Sequence, residues 1–98
     1  MKLNFSIIIP VYNRPNEIDE LLKSLTQQDF TDGFEVLIIE DGSTNTCETI
    51  VQKYKSQLNV NYFFKENSGA GASRNFGMEN AAGNYFIILD YFIPFYYI

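Results

Sequence analysis

Phe5-Ser6-Ile7-Ile8-Ile9-Pro10-Val11 opens directly onto Tyr12-Asn13-Arg14, and a second run, Phe34-Glu35-Val36-Leu37-Ile38-Ile39, opens onto Glu40-Asp41-Gly42-Ser43. A strand with one wet face alternates apolar and polar residues. These two runs are nearly continuous and rich in β-branched side chains, so they read as strands buried on both faces, the mark of a parallel sheet. In open parallel sheets ligands bind beyond the carboxyl ends of the strands. The polar residues after each run therefore stand where chemistry is expected.

Working outward, Phe5 to Pro10 is the first strand, and Pro15 pre-sets a helix start. Ile18, Leu21, Leu22 and Leu25 then recur at one helical face. Glu17, Asp19 and Glu20 sit in or near the first turn, where they suit the helix dipole. Thr31-Asp32-Gly33 breaks the chain before the second strand, Phe34 to Ile39. Ser43, Thr44 or Asn45 is expected to cap a second helix, whose apolar face is Cys47, Ile50, Val51 and Tyr54. Val60 to Phe64 is a third strand. After the small turn Asn67-Ser68-Gly69-Ala70-Gly71, a third helix is predicted from about Ala70, ending by Gly83 as its C′ residue. Tyr85 to Leu89 is a fourth strand that closes on Asp90. The order βαβαβαβ with short connections predicts an α/β fold with a mainly parallel sheet and right-handed crossovers.

The chain has 98 residues, enough for one small domain or part of one. Its hydrophobic content of 46% is that of a globular protein. A net charge of −5 argues against a nucleic-acid backbone or an anionic membrane as the main partner, while leaving room for a local cationic pocket around Arg14 or Arg74. Cys47 is the single cysteine and there is no histidine, which excludes a disulfide framework and a Cys/His zinc site. The apolar run behind Met1-Lys2-Leu3-Asn4 is too short and too interrupted for a signal peptide. No run approaches the roughly 20 apolar residues of a membrane span. The expected location is the cytoplasm.

Among phosphate-binding loops, the dinucleotide fingerprint would follow the first strand, but Tyr12-Asn13-Arg14-Pro15 stands there; Gly69-Ala70-Gly71-Ala72-Ser73-Arg74 lacks the third glycine, and no P-loop exists. Asp41, just past a buried strand, can accept from a base N–H or a ribose hydroxyl; the plainer reading of Asp-Gly-Ser is an Asx turn or helix cap. Arg74 lies in the first turns of the third helix, where anions are favoured; its plainer role is a solvated side chain or a pair with Glu79 or Glu66. Asp90 can hold a divalent metal or serve a turn. Cys47 reads as a core thiol.

Four blocks then carry a resemblance: Ser6-Ile7-Ile8-Ile9-Pro10-Val11-Tyr12-Asn13; Ile39-Glu40-Asp41-Gly42-Ser43; Asn67-Ser68-Gly69 with Ala72-Ser73-Arg74-Asn75; and Gly83-Asn84-Tyr85 with Leu89-Asp90. In order and spacing the chain resembles glycosyltransferase family 2 over residues 3–90. This implies the nucleotide-binding first half of a GT-A fold, a three-layer, Rossmann-like architecture. It implies an enzyme that moves a sugar from a nucleotide diphosphate to an acceptor hydroxyl with inversion. Pro10, Val11, Tyr12 and Asn13 would wall the nucleotide site, with Tyr12 against the base. Asp41 would accept from the base, uracil being favoured, and Arg74 would face the base and diphosphate. Asp90 would be the first residue of the D-x-D motif that holds Mg²⁺ or Mn²⁺. The donor would be a UDP-sugar, and the base that takes the acceptor proton would lie further along the chain. Intact family members can be membrane-peripheral.

The pattern breaks at Asp90-Tyr91-Phe92, where Phe92 occupies the second acidic position and has no oxygen to offer a cation. Losing a charged partner worth about 1.5–3 kcal/mol weakens a metal–donor complex roughly ten- to hundredfold. Residues 91–98, Tyr-Phe-Ile-Pro-Phe-Tyr-Tyr-Ile, carry no charge. Such a tail packs on the sheet, forms a homodimer, or aggregates. The expectation is a truncated or frame-shifted product, inactive by itself, or else a non-catalytic nucleotide-binding or self-associating module.

Overall fold

The elements alternate as β1 (Leu3–Val11), α1 (Pro15–Thr26), β2 (Gly33–Asp41), α2 (Glu48–Tyr54), β3 (Val60–Lys65), α3 (Ala70–Asn80) and β4 (Tyr85–Ile88). The structure is a computed structural model and describes residues 3–28 and 33–91. The strands form one sheet in the order β3-β2-β1-β4, parallel throughout. Ile7 lies opposite Val36 on one side and Ile87 on the other, and Ile38 lies between Ile9 and Tyr62.

The chain steps from β1 to β2 to β3 in one direction, then returns to place β4 on the far side of β1. With right-handed crossovers this puts α1 and α2 on one face and α3 on the other. Accordingly α1 packs on α2, while α3 packs on β1 and β2. The result is the three-layer α/β architecture expected from the sequence. The reversal between β1 and β4 is a topological switch point, the place where open α/β sheets leave a crevice.

The core explains why β1 and β2 lack alternation. Ile7, Ile9, Val11, Val36 and Ile38 face α1 and α2, meeting Ile18, Leu22, Leu25, Cys47 and Val51. Ile8, Leu37 and Ile39 face the other way, toward Phe63, Phe76 and Met78. Each such buried side chain contributes about 1.5–3 kcal/mol relative to exposure. Gly77 lets α3 sit close on β1, since a Cβ there would stand 2.4 Å from Ile8 Cγ2.

Two details differ from the sequence-based expectation. The N-cap of α2 is Cys47, not Ser43, Thr44 or Asn45, and no side chain of the cap residue bonds the helix end. The Glu40 carboxylate serves instead, its Oε1 accepting from the Cys47 N–H at 3.0 Å. Helix α3 ends at Asn80 with Ala81 extended, so Gly83 is not its C′ residue. Gly83 is small because the backbone passes close to β1: a Cβ would meet the Phe5 carbonyl carbon at 2.6 Å. Its N–H donates to Ser6 Oγ at 2.9 Å, and the Ser6 hydroxyl donates to Glu35 Oε2 at 2.7 Å. The same Glu35 oxygen accepts from the Ala82 N–H at 2.6 Å, tying the α3–β4 turn to β1 and β2. Strand β4 forms one edge of the sheet, with Tyr85 71%, Phe86 44%, Ile87 44% and Ile88 37% exposed. No helix among the described residues is long and apolar enough to cross a membrane.

Candidate functional site

Each strand tip is fastened to the next by hydrogen bonds from the residues that follow it. At β1, Asn13 adopts φ 54°, a left-handed conformation that asparagine tolerates. Its N–H donates to Ser43 Oγ at 2.9 Å, and its Oδ1 accepts from the N–H groups of Thr44 at 3.0 Å and Asn45 at 2.9 Å. This clamps the β1–α1 loop to the β2–α2 loop. It is also what Ser43, Thr44 and Asn45 do in place of capping α2.

Asp41 fastens β2 to the β3–α3 loop. Its Oδ1 accepts from Lys65 Nζ at 2.5 Å and from the Ser68 N–H at 2.9 Å, and its Oδ2 accepts from the Gly69 N–H at 2.9 Å. Asn67 Nδ2 donates to the Asp41 carbonyl oxygen at 3.0 Å. Gly42, at φ 69°, allows the approach: a Cβ there would lie 2.8 Å from the Asn67 backbone nitrogen. The Asp41 side chain is fully buried. Burial by itself would raise its pKa, but the Lys65 ammonium and the Ser68 and Gly69 N–H groups outweigh burial and hold the carboxyl below its ordinary value of 3.8.

The fourth tip closes the rim. The Tyr91 N–H donates to the Pro10 carbonyl at 2.8 Å and the Tyr12 N–H to the Tyr91 carbonyl at 3.2 Å. Tyr91 also packs against the α1–α2 side of the core. Its neighbour Asp90 accepts from Arg74 Nη1 at 2.8 Å, so β4 and α3 are joined by an ion pair, neither Glu66 nor Glu79 being the arginine's partner in that bond. Three of the seven basic residues, Arg14, Lys65 and Arg74, thus lie at this edge of an acidic protein.

The structure therefore gathers Tyr12, Asn13, Asp41, Arg74 and Asp90 along one edge of the sheet. Val11 is wholly buried and Pro10 is buried, with its carbonyl accepting from the Tyr91 N–H, so these two nucleotide-wall candidates support the rim from beneath rather than presenting a surface to a ligand. For a divalent cation the donor set does not fit. Among the described residues no group of three His, Cys, Asp or Glu side chains could hold one, and the Asp90 carboxylate is engaged by Arg74. Phe92 and the rest of the aromatic tail past Tyr91 lie outside the described residues. A separate groove of about 640 Å³ between α1 and α2, lined by Asp19, Lys23, Lys53 and Tyr54 among others, shares no residue with this edge.

Sequence reading passed over Glu40, treating it as the residue before Asp41. It is fully buried; its Oε1 accepts from the Cys47 N–H, Cys47 Sγ at 3.3 Å and the Tyr62 hydroxyl at 2.9 Å. Its Oε2 has no hydrogen-bond partner among the described residues. Burial, followed by the neighbouring Glu40 charge and hydrogen bond, pushes both the Cys47 thiol and the Tyr62 hydroxyl far up. The Cys47 thiol is inert, as a core thiol should be. The available signal was a carboxylate directly after the apolar stretch Val36-Leu37-Ile38-Ile39, all of which is buried.

Residues 6–91 match Glycosyl transferase family 2. The chain belongs to that family. An uncharacterized glycosyltransferase of Rickettsia conorii is 45% identical over 85 residues, which are 87% of this chain and 14% of that protein. The poly(ribitol-phosphate) beta-N-acetylglucosaminyltransferase TarS of Staphylococcus aureus is 38% identical over 91 residues, 90% of this chain and 16% of that protein. A crystal structure of TarS residues 1–349 in complex with UDP-GlcNAc superposes with a TM-score of 0.82 at 40% identity, covering 90% of this chain and 26% of that one. This family 2 chain thus has the opening portion of a GT-A fold and spans only 14% to 16% of these curated relatives' length.

Proposed function

We propose that this family 2 chain is the donor-nucleotide half of an inverting glycosyltransferase and binds a UDP-sugar along the linked strand tips. The single observation that carries the reading is that rim: four parallel strands end together, and their following loops are bonded into one surface at the switch point between β1 and β4. The TarS crystal structure with UDP-GlcNAc supports UDP as the nucleotide. Tyr12 lies against the base. Asp41 accepts from the base N–H, with Lys65 yielding part of its hold on the carboxylate, and Arg74 meets the diphosphate. In the transfer, the acceptor oxygen bonds the anomeric carbon as its bond to the diphosphate oxygen breaks, and a general base removes the acceptor proton. Asp41 and Asp90 at the rim are each paired with a cation, and in this reading they help bind the donor rather than take the acceptor proton.

Isothermal titration with UDP and UDP-GlcNAc tests this. Saturable binding that Asp41→Ala weakens is the expected result, with no sugar released. Equal weakening by Glu40→Ala and Asp41→Ala counts against the assignment of Asp41. A second reading, self-association, is favoured by the exposed apolar edge at β4; concentration-dependent dimers with no UDP binding would select it.

A further inference from the structure

Resting on the donor-site reading, we propose that Arg74, rather than a divalent cation, neutralises the donor diphosphate here, so that nucleotide binding by this chain is independent of metal. A hard cation needs several oxygen ligands, and beside a diphosphate Mg²⁺ usually takes one or two of them from protein carboxylates, so the state of the carboxylates at the β4 tip decides. The described residues bring no group of three candidate ligands together, and position 92, where a second acid would follow Asp90, is a phenylalanine. The one carboxylate at the β4 tip already faces a guanidinium at 2.8 Å.

Arg74 is well placed for the task. Helical side chains lean toward the helix N-terminus, and Arg74 does so: its Nη2 lies 3.7 Å from where a Cβ on Gly71 would stand. The guanidinium therefore lies beside the first turn of α3, which holds no acidic residue and presents the positive end of the helix dipole. Its planar fork matches two phosphate oxygens at once. The Arg74–Asp90 pair is partly exposed, 40% and 34% by side chain, so a phosphate can reach it. An exposed pair is held weakly. A diphosphate, carrying more charge than one carboxylate, displaces Asp90 from the guanidinium. Asp90 holds Arg74 in place until then and repels the incoming anion.

The two schemes give Asp90 opposite signs. If Asp90 were a metal ligand, Asp90→Asn would weaken UDP binding; if it competes for Arg74, the same change strengthens it. Calorimetry of the whole chain with UDP and with uridine, in EDTA and in Mn²⁺, decides. The expected results are equal UDP affinity in both buffers and a rise of up to about fivefold in Asp90→Asn. Arg74→Met should lower UDP affinity about 10- to 100-fold while leaving uridine affinity unchanged. UDP binding that appears only with Mn²⁺, or that falls in Asp90→Asn, overturns the inference and leaves the donor-site reading standing. Absence of UDP binding in both buffers sinks that reading and the inference with it.

Discussion

Asp41 ends a buried strand with its carboxylate wrapped by one ammonium and two backbone N–H groups. Because these partners favour the charged form, its folded pKa lies below the unfolded value of 3.8. The stability this contributes is present above pH 3.8 and is lost as the pH falls through the lower folded value. In Asp41→Asn an amide N–H₂ would face a backbone donor, and one buried donor would go unpaired. We expect a loss of about 1–3 kcal/mol near neutral pH, by urea unfolding. The gap from wild type should narrow in acid, because only the aspartate titrates. Glu40→Ala should cost a similar amount, about 1–3 kcal/mol, by orphaning the Cys47 N–H, yet weaken UDP binding less than Asp41→Ala. Equal stability of Glu40→Ala and wild type would show that the buried carboxylate does not organise the β2–α2 loop. Glu40 and Asp41 are adjacent and chemically alike. Their different surroundings follow from the alternation of a strand, which turns Glu40 toward α2 and Asp41 toward the α3 side, so no inspection of the pair in isolation separates them.

At the scale of elements, the helices and strands were largely legible because β-branched runs and helical spacing report burial directly. The helix ends were not. Ser43, Thr44 and Asn45 have the chemistry of caps, but Asn13 from a distant loop takes their hydrogen bonds, and a glutamate reaching across from β2 serves α2. Gly83 has the chemistry of a helix stop, yet its size is demanded by the Phe5 backbone. Two glycines of α3 test the packing argument. Gly77→Ala places a methyl 2.4 Å from Ile8 Cγ2 and should destabilise by about 1–3 kcal/mol. Gly71→Ala meets only Arg74 Nη2 at 3.7 Å and should be neutral or stabilising by up to about 1 kcal/mol. Thermal unfolding that ranks the two in the reverse order would refute the close α3–β1 contact.

At the scale of the whole molecule, the exposed β4 edge is the feature that least resembles a finished surface. Tyr85→Lys, at a position 71% exposed, should reduce concentration-dependent association while changing stability by no more than about 0.5 kcal/mol. Sedimentation velocity across a range of concentrations measures the first and urea unfolding the second; unchanged association would remove β4 as the sticky edge. Hydrophobic runs and their endings are local properties of the chain, and they already specify the class of fold, the parallel sheet and the residues at its strand tips. Who partners whom at those tips is set by the packed fold: Asp41 with Lys65, Asn13 with the β2–α2 loop, Arg74 with Asp90. These pairs join residues 16 to 32 positions apart. Such contacts depend on strand order and on which face each helix covers, which no local pattern encodes.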